Sequence, residues 1–253
     1  MIRIEHLKAG YSGKIMLDID SLAFDSGKMT AIVGLNGSGK STLLKAILGM
    51  HLYEGTVQLD GKDLHALSYK ERARKIAYLP QLNQVNLLDV FTLVSHGRFP
   101  YLGFSKVLGK RDKELVENAL RLTDMWDKRD KSVSALSGGE QQRAYLAMII
   151  AQDTKMILLD EPTTYMDIKH QVEMLAVLKQ LSHEGRGIIL TSHDLPQSFS
   201  ECDEVRLIHS GKIVASGTSA DVLSDRNTIR NVMGVGLQKT QGDGCLYKYS
   251  LVL

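Results

Sequence analysis

The residues Gly34-Leu35-Asn36-Gly37-Ser38-Gly39-Lys40-Ser41-Thr42 have the types and spacing needed to hold a polyphosphate. They satisfy G-x-x-x-x-G-K-[ST] at Gly34, Gly39, Lys40 and Ser41. Glycines let backbone N–H groups curl around an anion with no Cβ in the way. A helix starting near Lys40 adds its positive end. The Lys40 ammonium would reach the outer phosphates, and the Ser41 hydroxyl would ligate Mg²⁺. The bland alternative is a glycine turn that binds nothing. The flanks argue against it. Met29 to Val33 is a short apolar run that reads as a buried strand, and Leu43, Leu44, Ile47 and Leu48 recur at helical spacing until Gly49.

Other residues with chemical potential stand at the ends of apolar runs. Met156 to Leu159 ends in Asp160-Glu161-Pro162. Open α/β sheets place ligands at such strand ends. On an extended segment adjacent side chains diverge, so Asp160 would hold Mg²⁺ through its water shell and Glu161 would face a nucleophilic water. Ile188 to Leu190 leads to Thr191, Ser192 and His193, with Asp194 as the cap of a helix carrying Pro196 in its first turn. Ile76 to Leu79 leads through Pro80 to Gln81, a solvated loop residue unless its loop points at the metal. Leu136-Ser137-Gly138-Gly139-Glu140 precedes a helix expected from Gln141 to Ala151, with Ser137 as N-cap and two glycine N–H groups as a second potential anion site. Tyr11, expected in a loop beside Gly10 and Gly13, is either a surface residue or an aromatic face for a flat base.

These residues need a scaffold, and 253 residues with 43% hydrophobic content suffice for a large α/β domain or a core with a subdomain. Ile2 to Leu7 and Ile15 to Ile19 alternate as half-buried antiparallel strands. Asp25 to Lys28 reads as a turn, Gly55 to Asp60 as a strand, and Asp60-Gly61 as a hairpin turn. From about Asn83 to Ser134 strand signals give way to helical ones. Within that stretch His96, Arg98 and Tyr101 are expected in an exposed polar loop. Val172, Leu175, Leu178 and Leu181 mark another helix. Val205 to Ile208 and Ile213 to Ala215 form a hairpin through Ser210-Gly211-Lys212, the chain after Gly217 is helical to about Met233, and the last residues, with Tyr247, Tyr249 and Leu251 alternating, are expected to add a strand pair.

A net charge of +2 gives no strong pull toward nucleic acid or acidic lipid. Cys202 and Cys245 stand far apart with no C-x-x-C pattern, as in a reducing compartment. The amino terminus is expected to lack a signal peptide, and the apolar stretch around Ala144 to Ala151 is too short to span a bilayer. Any membrane role needs a partner that spans it.

Taken together, the motifs resemble those of the ATPase subunits of ABC transporters, over nearly the whole chain. The resemblance implies a P-loop NTPase (RecA-like) α/β core with an antiparallel β subdomain and an inserted α-helical subdomain. Its boundaries would be 1–82 and 153–235 for core and β subdomain, 83–152 for the helical part and 236–253 for a C-terminal extension. Gly34 to Thr42 match Walker A, Tyr11 the adenine-stacking aromatic and Gln81 the Q-loop, which also serves the metal and the catalytic water. Ser137 to Glu140 match the family signature, Asp160 and Glu161 Walker B and the catalytic glutamate, Asp167 the D-loop, and His193 the switch histidine. Thr164-Tyr165-Met166-Asp167 departs from the common Ser-Ala-Leu-Asp D-loop. With Gly97 to Tyr101 and Ala151-Gln152-Asp153 it is similar to importers of iron–siderophore, haem and cobalamin. The resemblance also implies a homodimer that sandwiches two ATP head to tail. Such a dimer works on two transmembrane permease subunits at the cytoplasmic face of the membrane and is fed by a substrate-binding protein, with no nucleic acid involved. A non-transport ABC ATPase acting on nucleic acid or ribosomes is the rival class; those usually carry two cassettes or a long coiled coil.

Overall fold

The computed structural model describes residues 1–11, 14–81, 87–103, 107–164, 166–240 and 247–250, except for the side chain of Tyr11. Asn83, Gly13, Tyr165, Cys245 and Leu251, which carry some of the expectations above, lie outside the described residues. The chain divides into two compact units, residues 1–67 with 187–253 and residues 68–186.

The first unit opens with β1 (Ile2–Tyr11), β2 (Lys14–Phe24), β3 (Met29–Val33), α1 (Lys40–Ile47), β4 (Tyr53–Leu59) and β5 (Lys62–Asp63). Strands β2, β1, β4 and β5 pair antiparallel in that order. The alternation in β1 buries Ile2 and Ile4 and then Leu7 and Ala9, so its phase slips by one residue. A bulge explains the slip. His6 takes φ 51°, and the register against β4 shifts between Glu5 and Lys8. Opposite it stands Gly55, where a Cβ would lie 2.2 Å from the His6 carbonyl oxygen. Tyr11 is the last residue of β1 and so belongs to a strand, not to the expected loop. Asp60 and Gly61, both at positive φ, make the expected hairpin turn.

The second unit runs through α2 (Tyr69–Ala73), β6 (Ile76–Leu79), α3 (Val90–Ser95), α4 (Lys110–Leu122), α5 (Gly138–Ala151), β7 (Met156–Leu159) and α6 (Ile168–His183). Strands β6 and β7 are parallel. Helix α5 starts at Gly138, three residues earlier than expected, because Ser137 and Glu140 close a capping box around the two glycines.

The stretch from His96 to Tyr101 is a 3₁₀ helix, not an exposed loop. Gly97 packs against α5 so tightly that a Cβ would lie 2.2 Å from the Met148 carbonyl oxygen. Arg98 is 4% exposed. Its Nε donates to Asp112 at 2.9 Å, its Nη1 donates to the Ala151 carbonyl at 2.9 Å, and its guanidinium lies 4.0 Å from the Tyr101 ring centroid. These acceptors are 14 and 53 residues away in sequence, which is why local polarity misread the segment. Removing one partner of a buried pair strands the other, at ~3–5 kcal/mol. Arg98→Ala is therefore expected to lower the urea midpoint by that equivalent, and an unchanged midpoint would contradict this packing.

The chain returns to the first unit with β8 (Gly187–Ser192), α7 (Leu195–Glu201), β9 (Glu204–His209), β10 (Lys212–Gly217), α8 (Ser219–Ser224), α9 (Arg226–Met233), β11 (Gly236–Lys239) and β12 (Tyr247–Ser250). Strand β3 lies between β8 and β9, parallel to both, and β10 pairs antiparallel with β9. Every residue of β3 and β8 is buried, as expected of parallel strands covered on both faces. Strands β11 and β12 form the expected final pair. Among the described residues no helix is long and apolar enough to cross a membrane.

Candidate functional site

In the first unit two functional candidates leave the sheet side by side. Val33, the last residue of β3, is in register with Ser192, the last of β8. Gly34 and His193 therefore step off neighbouring strands at the same edge, the end where parallel α/β sheets hold ligands. The Gly34–Thr42 loop is a cradle. Its tip, Leu35 to Gly37, is exposed, while Ser38, Gly39 and Lys40 are buried. Gly39 is the N-cap of α1 at φ 110°, a conformation L side chains rarely adopt. At Gly34 a Cβ would lie 2.3 Å from the Ile208 carbonyl oxygen. Lys40 Nζ donates to the Gly34 carbonyl at 2.8 Å and to that of Leu35 at 3.2 Å. Ser38 Oγ is buried with no hydrogen-bond partner. An orphaned hydroxyl at a helix start, beside a glycine tip with open space around it, fits an anion that supplies acceptors. Thr42 is half-buried in the first turn of α1, and Ser41 beside it offers the hydroxyl suited to a hard cation.

In the second unit the same device recurs. Leu79 and Leu159 end β6 and β7 in register. Asp160 N donates to the Leu79 carbonyl at 2.8 Å, so the Pro80-Gln81 step and the Asp160-Glu161 pair diverge from one strand end. Gln81 is exposed and Asp160 is 5% exposed. The Tyr78 hydroxyl points at Asp160 Oδ2 from 3.5 Å; burial, then the Asp160 charge, push that phenol well above its usual value. Glu161 departs from the extended geometry expected of it. It sits at φ 51°, a left-handed backbone that costs a non-glycine residue about 1–3 kcal/mol. The turn is held by Thr164, whose N donates to the Glu161 carbonyl and whose Oγ1 donates to the Glu161 carboxylate at 3.2 Å. The two carboxylates thus part because the chain bends between them, not because a strand alternates.

The signature residues build the start of α5. Ser137 Oγ accepts from Glu140 N at 3.3 Å, and Glu140 Oε2 accepts from Ser137 N at 2.7 Å. The Lys128 ammonium, 2.7 Å from Glu140, and the Ser137 N–H hold that carboxyl down at about 2. The box serves the N–H groups of Ser137 and Glu140, and those of Gly138 and Gly139 between them belong to the first turn, which has no intrahelical acceptors for them. Asp167 caps α6 through His170: the His170 backbone N–H, then its ring 2.7 Å away, keep the Asp167 carboxyl below its usual range. Gly139 faces the same His170 ring, so the starts of α5 and α6 are neighbours.

Several supports carry no signal in the sequence. Gln142 is buried and donates to the Pro162 carbonyl at 2.9 Å, tying α5 to the turn after Glu161. His170 and Tyr78 serve Asp167 and Asp160 in the same way. Gln142 stands two residues after the signature, but nothing in its local pattern marks a polar residue as buried. The side chain of Tyr11 lies outside the described residues, so its aromatic face has no structural account. Among the described residues no group of three or more His, Cys, Asp or Glu could hold a metal. A Mg²⁺ ion takes only one or two carboxylates, with substrate phosphates and waters, and the buried Asp160 carboxylate is a group of that kind.

The chain is similar to known proteins. The family model described as "ABC transporter" matches residues 17–164. The petrobactin import ATP-binding protein FpuD of Bacillus anthracis is 38% identical over 240 residues, covering 94% of this chain and 88% of the relative. The iron(3+)-hydroxamate import ATP-binding protein FhuC of Bacillus subtilis is 38% identical over 224 residues, covering 87% and 83%. Among solved structures, the dimeric ATP-binding cassette MJ0796 in a post-hydrolysis state with ADP and phosphate superimposes with a TM-score of 0.77 at 24% identity, covering 87% of this chain and 99% of that one.

Proposed function

Because this chain belongs to the ABC transporter family, we propose that it is the ATP-hydrolysing subunit of an importer that takes up an iron(III)–siderophore, or a related haem or cobalamin complex. One observation carries the ATPase reading: the phosphate loop and His193 leave paired strands in register, so an anion cradle and a titratable ring share one edge. The cargo class is supported by relatives, matched over most of their length, that are named for petrobactin and iron-hydroxamate import.

The backbone N–H groups of the loop bind the phosphates, and the Ser38 hydroxyl gains the acceptor it lacks. Lys40, buried and held by two loop carbonyls, exchanges them for outer phosphate oxygens. Ser41 and Asp160 would hold Mg²⁺, with Gln81 completing its surroundings; when bound, the ion neutralises charge on the phosphate oxygens. Glu161 orients the attacking water and accepts its proton, and His193 holds the terminal phosphoryl in line. Phosphoryl transfer spreads charge over the transferred oxygens, so catalysis here is positioning plus electrostatics.

The first-turn N–H groups at the start of α5, with Ser137, serve the nucleotide held by a second copy of the chain, and Asp167 accompanies them across that contact. The reading is therefore a homodimer with ATP walled in from both sides, closing on binding and opening on hydrolysis. Two permease subunits would carry the motion across the membrane and tether the dimer to its cytoplasmic face, with a binding protein delivering the cargo outside.

A strain lacking the gene tests this directly. It is expected to lose growth on one iron–siderophore as sole iron source, to regain it with the wild-type chain, and to yield permease subunits on pull-down of that chain. Normal growth on every chelated iron source, with ribosomes or DNA recovered instead, would overturn the assignment.

A further inference from the structure

The last strand pair, which the proposed mechanism does not use, reaches the helix that comes after His193. Helix α7 begins at Leu195, two residues after His193. A helix start leaves its first N–H groups without intrahelical acceptors. At α7 most are accounted for locally. Asp194 Oδ1 accepts from Gln197 N at 3.0 Å, Pro196 has no N–H, and Ser198 N donates to the Asp194 carbonyl at 3.1 Å. The remaining donor is Leu195 N–H. Its acceptor is the hydroxyl of Tyr249, 54 residues downstream, at 3.2 Å.

A second contact shows that this is an organised packing. Tyr247, 8% exposed, meets Phe199 edge to face with ring centroids 5.7 Å apart. Tyr247 and Tyr249 share one face of β12, being two residues apart. Leu195 and Phe199 share one face of α7, being four apart. Two strand residues span about 6.8 Å and four helix residues about 6 Å, so the periods match and the two elements run antiparallel along their contact. Leu237, 4% exposed, pairs with Tyr249 across the hairpin, and Tyr249 keeps 49% of its surface exposed.

We infer that Tyr249 is a positioning residue for His193: the C-terminal hairpin completes the cap of α7 and thereby fixes where β8 releases its histidine. Ser192 Oγ accepts from Asp194 N at 2.9 Å and so turns the chain, but it lies on the same short segment as His193. The hairpin supplies an anchor from outside that segment. The inference rests on His193 being the group that faces the terminal phosphoryl.

Tyr249→Phe keeps the ring and removes only the hydroxyl. In the full-length protein it is expected to speed exchange of the Leu195 amide about tenfold or more, as for a freed N–H. It should shift the ¹³Cε1 signal of His193, assigned by its loss in His193→Gln. It should also lower kcat for phosphate release about fivefold with KM for ATP unchanged, the kinetic equivalent of one neutral hydrogen bond. An unmoved His193 signal, an unchanged kcat, or a drop in melting temperature with no kcat-specific effect would overturn the inference. A wild-type chain that releases no phosphate would instead sink the ATPase reading, and the amide and histidine signals would still report on the tyrosine.

Discussion

Glu161→Gln stops phosphate release while ATP stays bound, and the loaded variant runs on a sizing column at twice the apparent mass of the free chain. The expectation comes from what the substitution leaves alone. Gln has the shape of Glu and keeps an oxygen that can accept from Thr164 Oγ1, the bond that steadies the side chain at 3.2 Å. The left-handed backbone at φ 51° is set by the turn into Pro162 and Thr164 and is as tolerable for Gln as for Glu. Asp160, the loop and the start of α5 are untouched. What goes is the ability to accept a proton from water, a contribution of about 10²–10⁴ in rate. A nucleotide that cannot be cleaved keeps its two walls together, so the dimer persists. Turnover within threefold of wild type would remove Glu161 from its role. Arrested turnover with a strictly monomeric ATP complex would keep that role and remove the head-to-tail arrangement.

Lys40→Ala loses nucleotide affinity and activity together. Lys40 is 6% exposed, and its ammonium is carried on the loop carbonyls of Gly34 and Leu35. A cation held that deep with carbonyl partners is poised for a more strongly charged acceptor, and phosphate oxygens provide one. Loss of one preorganised donor costs ~2.7–4 kcal/mol of transition-state stabilisation, about 10²–10³ in rate. Unlike the glutamate, the lysine also acts on the ground state, so equilibrium binding of a fluorescent ATP analogue weakens as well. Tight binding by the alanine variant would contradict the assignment. The pair of variants separates the two halves of the proposal, since one keeps the nucleotide and the other does not.

Much of the scaffold was readable from local pattern. Strands β3, β6 and β7 span the apolar runs Met29–Val33, Ile76–Leu79 and Met156–Leu159. Such largely buried strands are dominated by apolar residues, so their limits are written in composition. The start of α7 at Asp194 and the hairpin through Ser210-Gly211 were equally legible, because cap and turn residues act on their own neighbours. The site candidates could be named for the same reason: each sits in a short motif at the end of such a run.

Non-local partners were not readable. Arg98 has the composition of a surface residue and lies buried because Asp112 and the Ala151 carbonyl close around it. The β1 alternation breaks at His6 because Gly55 on another strand makes room for a bulge.

By itself, then, the order of residues determined which side chains could handle a polyphosphate and which strand ends would present them, since cradle, cap and buried strand are all decided within a few bonds. Folding in three dimensions decided the rest: that Gly34 and His193 leave paired strands at one level, that the backbone bends left-handed under Glu161, and that a tyrosine near the C-terminus closes the helix after the histidine. Those are relations between residues far apart along the chain. Register and hydrogen-bond completion fix them, and neither exists until the strands have met.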